Sequence, residues 1–150
     1  ATNGEAIAVG VRVLRTTAGS LVAATVMVAG PPLRGEPTLW PSPLLPEVEA
    51  VPGPQFYNPQ LRMHGGYCAA LIDSAMGVAV QTKLPAGTGY GTIEMKINYV
   101  RKLTVEHGPL RCIGTVIHSG RTMFTAEARV IDQDGKLYAH GSGTFLVYPK

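Results

Sequence analysis

Charge is scarce in this chain. Only 15% of its 150 residues are Asp, Glu, Lys or Arg, and 13 basic against 10 acidic residues leave a formal net charge of +3. No dense Lys/Arg block or basic stripe is present, so nucleic acid is not an expected partner. The small excess suits an anionic small ligand and suits an ordinary basic domain equally well. Cysteine is scarcer still. Cys68 and Cys112 lie far apart, form no CxxC pair and offer no disulfide framework. Both stand among apolar neighbours, the pattern of buried thiols in a reducing cytosol, so a cytoplasmic location is expected. No apolar run reaches the roughly 20 residues of a membrane span, and the first residues lack the basic-then-apolar order of a signal peptide. No membrane association is expected. His64, His107, His118 and His140 are scattered without HExxH spacing, so no metal site is expected. A GxSxG nucleophile elbow and a GxxxxGK[ST] phosphate loop are both missing. The glycine-rich GTGYG at 87–91 precedes a strand pattern instead of a helix, which disfavours dinucleotide binding.

What the chain does have is apolar sequence, 45% of it, in a length that suits one globular domain with its own core. Residues 6–14 and 20–29 are Val-rich and separated by TTAGS, which suggests two strands and a turn, with a helix as the alternative for the second run. Most of the prolines fall in 30–59, predicting an extended connector with one short strand around Glu47–Val51. From Tyr67 to about Leu84 no proline interrupts a run of Ala, Leu, Ile, Met and Val, and Leu71, Ala75 and Val78 share one helical face. LPAGTGYG then ends the helix. From Gly91 the period becomes two, with Ile93, Met95, Ile97 and Tyr99 alternating against Thr92, Glu94, Lys96 and Asn98. LRCIGTVI, TMFTAEARVI and LYAHGSGTFLV are three further strands, joined through the turns HSGR (118–121) and DQDG (132–135). One helix followed by four strands favours an α+β layer, with an antiparallel sheet packed on the helix.

The stretch NPQLRMHGGYCAALIDSAMG (58–77) carries the candidate chemistry. Gly65 and Gly66 allow another group to approach the backbone of the helix start. The free N–H groups of a first helical turn favour negative charge, which makes this a candidate oxyanion hole for an attacked carbonyl. A tight turn into the helix explains the same glycines. Asp73 lies inside the apolar run, where a carboxylate needs either hydrogen-bond donors, such as Ser74 or a strand Thr, or a use as general base or nucleophile. Gly66 and Asp73 are seven residues apart, so roughly 10 Å separates them along the axis. If both serve one reacting carbonyl, the N–H and the carboxylate come from different subunits, arranged across a twofold axis.

The order NP-x4-HGG-x6-D, with the glycine-rich turn and GTIEMKINYVRKL behind it, resembles the hotdog-fold acyl-CoA thioesterases, in particular the phenylacetate-pathway and 4-hydroxybenzoyl-CoA branch. The resemblance runs from about Asn58 to Val147. It implies a hotdog fold, a long central helix wrapped by a curved antiparallel sheet. It implies a homodimer or homotetramer with active sites at the subunit interface, and no metal or redox cofactor. The implied activity is hydrolysis of an aryl or medium-chain acyl-CoA to the free acid and coenzyme A, the coenzyme being part of the substrate. The alternative is a non-catalytic acyl-CoA-binding protein of the same fold. By position, Asp73 matches the catalytic acid, and Gly65 matches the glycine whose N–H polarises the thioester carbonyl. His64 matches the residue shaping the helix start, with Gly66 beside it against the substrate. Asn58 matches a polar residue near the thioester or water, and Thr92 a hydroxyl that holds the water or the acid. Arg101, Ser119 and Arg121 fall where the family contacts coenzyme A phosphates. Leu61 stands where the family usually has glycine, and residues 1–57 match poorly.

Overall fold

The computed structural model describes residues 47–148 apart from Ala86. The strands predicted at 6–14 and 20–29 lie outside the described residues. The short strand in the proline-rich connector is β1, Glu47–Ala50.

Helix α1 spans Gly65–Gln81, starting and stopping slightly earlier than the apolar run. His64 caps it with a side-chain acceptor, which brings both glycines inside the helix. At the far end Lys83 and Leu84 donate to Val80 and Gln81 over three residues instead of four. This tightened turn ends the helix ahead of Pro85, whose ring disfavours helical geometry in the residue before it. Buried side chains occupy nearly every face of α1, from Tyr67 and Cys68 through Ile72 and Met76 to Val80. A helix apolar all round belongs in the middle of a core. Ile72 and Met76 are fully buried, each contributing about 1.5–3 kcal/mol by leaving water.

Around it wraps a five-stranded antiparallel sheet in the order β1-β3-β4-β5-β2, where β2 is Gly89–Tyr99, β3 Leu110–Ser119, β4 Met123–Ile131 and β5 Leu137–Tyr148. All five strands touch α1. This is the hotdog arrangement implied by the resemblance. The strand following the helix crosses to pair with β5, so β2 is an edge strand. Small residues line the sheet where the helix lies closest, among them Gly114, Ala126, Ala128, Ala139 and Gly141, all buried. A Cβ added at Gly114 would fall on the backbone carbonyl of Ala75. Cys68 and Cys112 are both buried; burial pushes the Cys68 thiol up to about 11 and the Cys112 thiol higher.

The alternation expected of β2 is broken at one point. A bulge between Thr92 and Glu94 leaves Ile93 without a partner and 54% exposed. An extra residue in one strand reverses which residues face inward beyond it. Tyr90 and Thr92 therefore reach α1 before the bulge, and Met95, Ile97 and Tyr99 do so after it. The expectation that Ile93 and Thr92 point to the sides occupied by Met95 and Lys96 is corrected accordingly.

Candidate active site

The chain reaches α1 through a compact turn. Asn58 Oδ1 accepts from the Gln60 and Arg62 amides at 2.9 and 3.3 Å, and the Asn58 amide donates to Arg62 O at 2.8 Å. Asn58 thus organises the turn with its own side-chain oxygen. Leu61 sits in that turn with φ +55°, the left-handed region that suits glycine. The loop keeps the shape expected of the usual glycine even though Leu occupies the position. The Leu61 side chain is 70% exposed, so it gains little from packing. Left-handed backbone costs a non-glycine residue about 1–2 kcal/mol, and glycine's extra freedom in the unfolded chain returns about 0.4–1 kcal/mol of that. Leu61→Gly is expected to raise the melting temperature by a degree or more, as a thermal unfolding scan would show; a lower melting temperature would contradict this account of the turn.

His64 follows, placed by its amide bond to Phe56 O at 2.8 Å. Its Nδ1 accepts from the Gly66 amide at 3.0 Å. A neutral imidazole accepts at Nδ1 only with its proton on Nε2, so this contact fixes the tautomer. The Gly66 N–H is thereby used within the chain. The Gly65 N–H has no acceptor among the described residues, and it is the open donor of the first turn. A groove beside it is lined by Phe56, Tyr57, His64, Gly66, Tyr67 and Ala70.

Asp73 lies two turns further along α1. It is half-buried although the run around it is mostly buried. Its Oδ1 accepts from the Thr92 hydroxyl at 2.8 Å, the contact that the bulge in β2 makes possible. Tyr90, two residues before Thr92 on the same strand, has its hydroxyl pushed above the ordinary range by burial and by the Asp73 charge. Tyr90 and Tyr99 are the neighbours that the sequence did not mark. Period-two alternation shows Tyr99 beside Ile97, but the bulge hides the inward turn of Tyr90.

Arg101 lies just past the end of β2 and donates to Leu137 O at 2.7 Å. Ser119 ends β3 and Arg121 follows it in the turn to β4. Register places Ser119 level with Phe124, Phe145 and Thr92, whereas Arg101 follows Tyr99 at the opposite end of the sheet. Seven residues of strand, roughly 23 Å, separate Thr92 from Tyr99, so one chain does not bring the three residues together.

A central helix in a curved antiparallel sheet, with a glycine donor at its start and an acid in its third turn, places the chain among the hotdog proteins. More narrowly, it belongs to the thioesterase superfamily, whose family model matches residues 62–139. Among solved structures it is similar to a protein of Bacillus halodurans crystallised with CoA, at 36% identity and TM-score 0.63, over 69% of this chain and 67% of that one. It is similar to a conserved protein of Pseudomonas aeruginosa, at 36% identity and TM-score 0.64, over 68% of this chain and 79% of that one. A candidate esterase of Halobacterium salinarum is 33% identical over 94 residues, 57% of this chain. The match spans 60% of that relative's length.

Proposed function

We propose that this protein hydrolyses an acyl-CoA thioester, of the aryl or medium-chain class, to a carboxylic acid and coenzyme A. The observation that carries this reading is the pairing of two prepared groups on one helix, an open Gly65 N–H and an Asp73 carboxylate oriented by Thr92. They are eight residues apart, so about 12 Å of helix lies between them and one copy cannot apply both to one carbonyl. In a homodimer, or a homotetramer built from it, with antiparallel helices, the Gly65 end of one copy meets the Asp73 end of the other. The edge strand β2, which carries Thr92 and Tyr99, offers unpaired backbone for that contact.

In this assembly Asp73 either takes a proton from the water that attacks the carbonyl carbon, or attacks that carbon itself to form an acyl–Asp73 anhydride that water then hydrolyses. The developing oxyanion accepts from the Gly65 N–H of the other copy, and collapse expels the coenzyme A thiolate, which takes up the proton released by the reacting water. His64 fixes the helix start and withdraws the Gly66 N–H from competition. Asn58 shapes the turn leading to it. Arg101, Ser119 and Arg121 are proposed to meet coenzyme A phosphates, with Arg101 and the β3–β4 turn supplied at opposite ends of each copy. The coenzyme A bound in the Bacillus halodurans relative supports this ligand class. No other cofactor is proposed, and the reduced, buried thiols suit the cytoplasm. A panel of aryl and aliphatic acyl-CoAs, followed by release of free thiol, tests the reading. Turnover with kcat/KM of about 10⁴ M⁻¹s⁻¹ or more is expected for at least one member. Binding without thiol release across the panel would instead indicate a non-catalytic acyl-CoA-binding protein.

A further inference from the structure

Glycine has wide backbone freedom, yet an oxyanion donor is effective only if it is fixed before charge develops, to within about 0.5 Å. Two peptide units flank Gly65. In the His64–Gly65 unit, the carbonyl accepts from the Tyr67 amide at 2.9 Å, and the N–H is the open donor. In the Gly65–Gly66 unit, the N–H goes to His64 Nδ1 at 3.0 Å, and the carbonyl accepts from the Tyr99 hydroxyl, also at 3.0 Å. Two of these contacts are local to the helix start. The third reaches in from the end of β2, 34 residues away in sequence. The Tyr99 ring also lies across the α-carbon of Gly65, since a Cβ there would come within 3.0 Å of the ring and its hydroxyl. Tyr99 itself is held by pairing with Ala139, and the next two amides both donate to Tyr138 O, at 2.8 and 3.2 Å.

We infer that Tyr99 is a positioning residue for the oxyanion donor. Its hydroxyl pins the Gly65–Gly66 peptide, and its ring closes one side of Gly65, so the Gly65 N–H is presented in a single orientation. The effect on rate rests on the thioesterase reading above; the pin itself does not. Tyr99→Phe keeps the ring and removes the hydroxyl. In that variant kcat should fall roughly tenfold, as a small misplacement of a reacting group would cause, with KM within about twofold. The melting temperature should change by no more than about 4 °C, because one exposed hydrogen bond is lost. Amide exchange at Gly65 and Gly66, followed by NMR on the full chain, should become several-fold faster. With an active wild type, an unchanged kcat overturns the proposal, and so does a raised KM at constant kcat, which would indicate a substrate contact. If the wild type releases no thiol from any acyl-CoA, the thioesterase reading fails and exchange alone decides. Faster exchange then upholds the pin, and unchanged exchange overturns it.

Discussion

Asn in place of Asp73 should lower turnover by about 10²–10⁴-fold, the range supplied by a positioned general base, and leave folding and assembly intact. The two side chains have the same shape. Asn retains an oxygen able to accept the Thr92 hydroxyl bond seen at 2.8 Å, so the local geometry survives the change. Asp73 is half-buried and makes no ion pair among the described residues, so its neutral replacement leaves no stranded partner charge. What Asn lacks is basicity toward water and nucleophilicity toward a thioester. Loss of either would show in kcat, whereas KM, set by the proposed groove and phosphate contacts, should move little. Circular dichroism melts and size-exclusion profiles should match those of the wild type within about 1 kcal/mol of stability. Near-normal hydrolysis by this variant would remove Asp73 from the mechanism and send the search for the base elsewhere.

The helix and four of the strands were legible because their signals are local. An apolar run without proline, a switch to period two and short turn sequences each act within ten or so residues. The fifth strand of the sheet, β1, was visible in Glu47–Val51 as a place where prolines relent. The strand order was not legible. Nothing local tells β2 to cross over and pair with β5 instead of its successor, and that crossing is what leaves an edge beside the helix. The bulge at Ile93 was hidden for a related reason. Its sequence alternates without a break, and only the pairing against Phe145 and Thr144 shows that one residue is surplus. Hence the resemblance offered Thr92 to the water or to the acid, and the fold supplies the contact itself, a hydroxyl bond to Asp73 Oδ1. Leu61 shows the converse. Sequence flagged it as a departure, and the backbone carries it in the conformation that glycine would have taken.

The helix that bears both proposed groups is seated by a residue distant from either in sequence, and Gly114→Ala should show this as a large loss of stability. An added Cβ at Gly114 would land on the Ala75 carbonyl, with Met76 N only 3.1 Å away. These are backbone atoms in the middle of α1, and no rotamer change relieves the clash. Either β3 or the helix must shift, in a core packed at crystal-like density. Overpacking of this kind costs about 1–3 kcal/mol and more where backbone must move, a large share of the roughly 5–15 kcal/mol that holds a domain together. With backbone forced to move, a cost of about 3 kcal/mol at about 2–4 °C per kcal/mol for a chain of this size should lower the melting temperature by roughly 6–12 °C. Gly135→Ala provides the contrast. Gly135 has φ +77° but nothing within 4 Å of an added Cβ, so that variant suffers only the conformational cost, about 1 kcal/mol. If the two variants melt together, crowding against α1 is not what seats the helix. If Gly114→Ala melts far lower and its surviving fraction also loses turnover, displacement of α1 away from Thr92 links the two effects. Asp73 lies only two residues before the crowded Ala75 carbonyl, so a shift there moves the carboxylate directly.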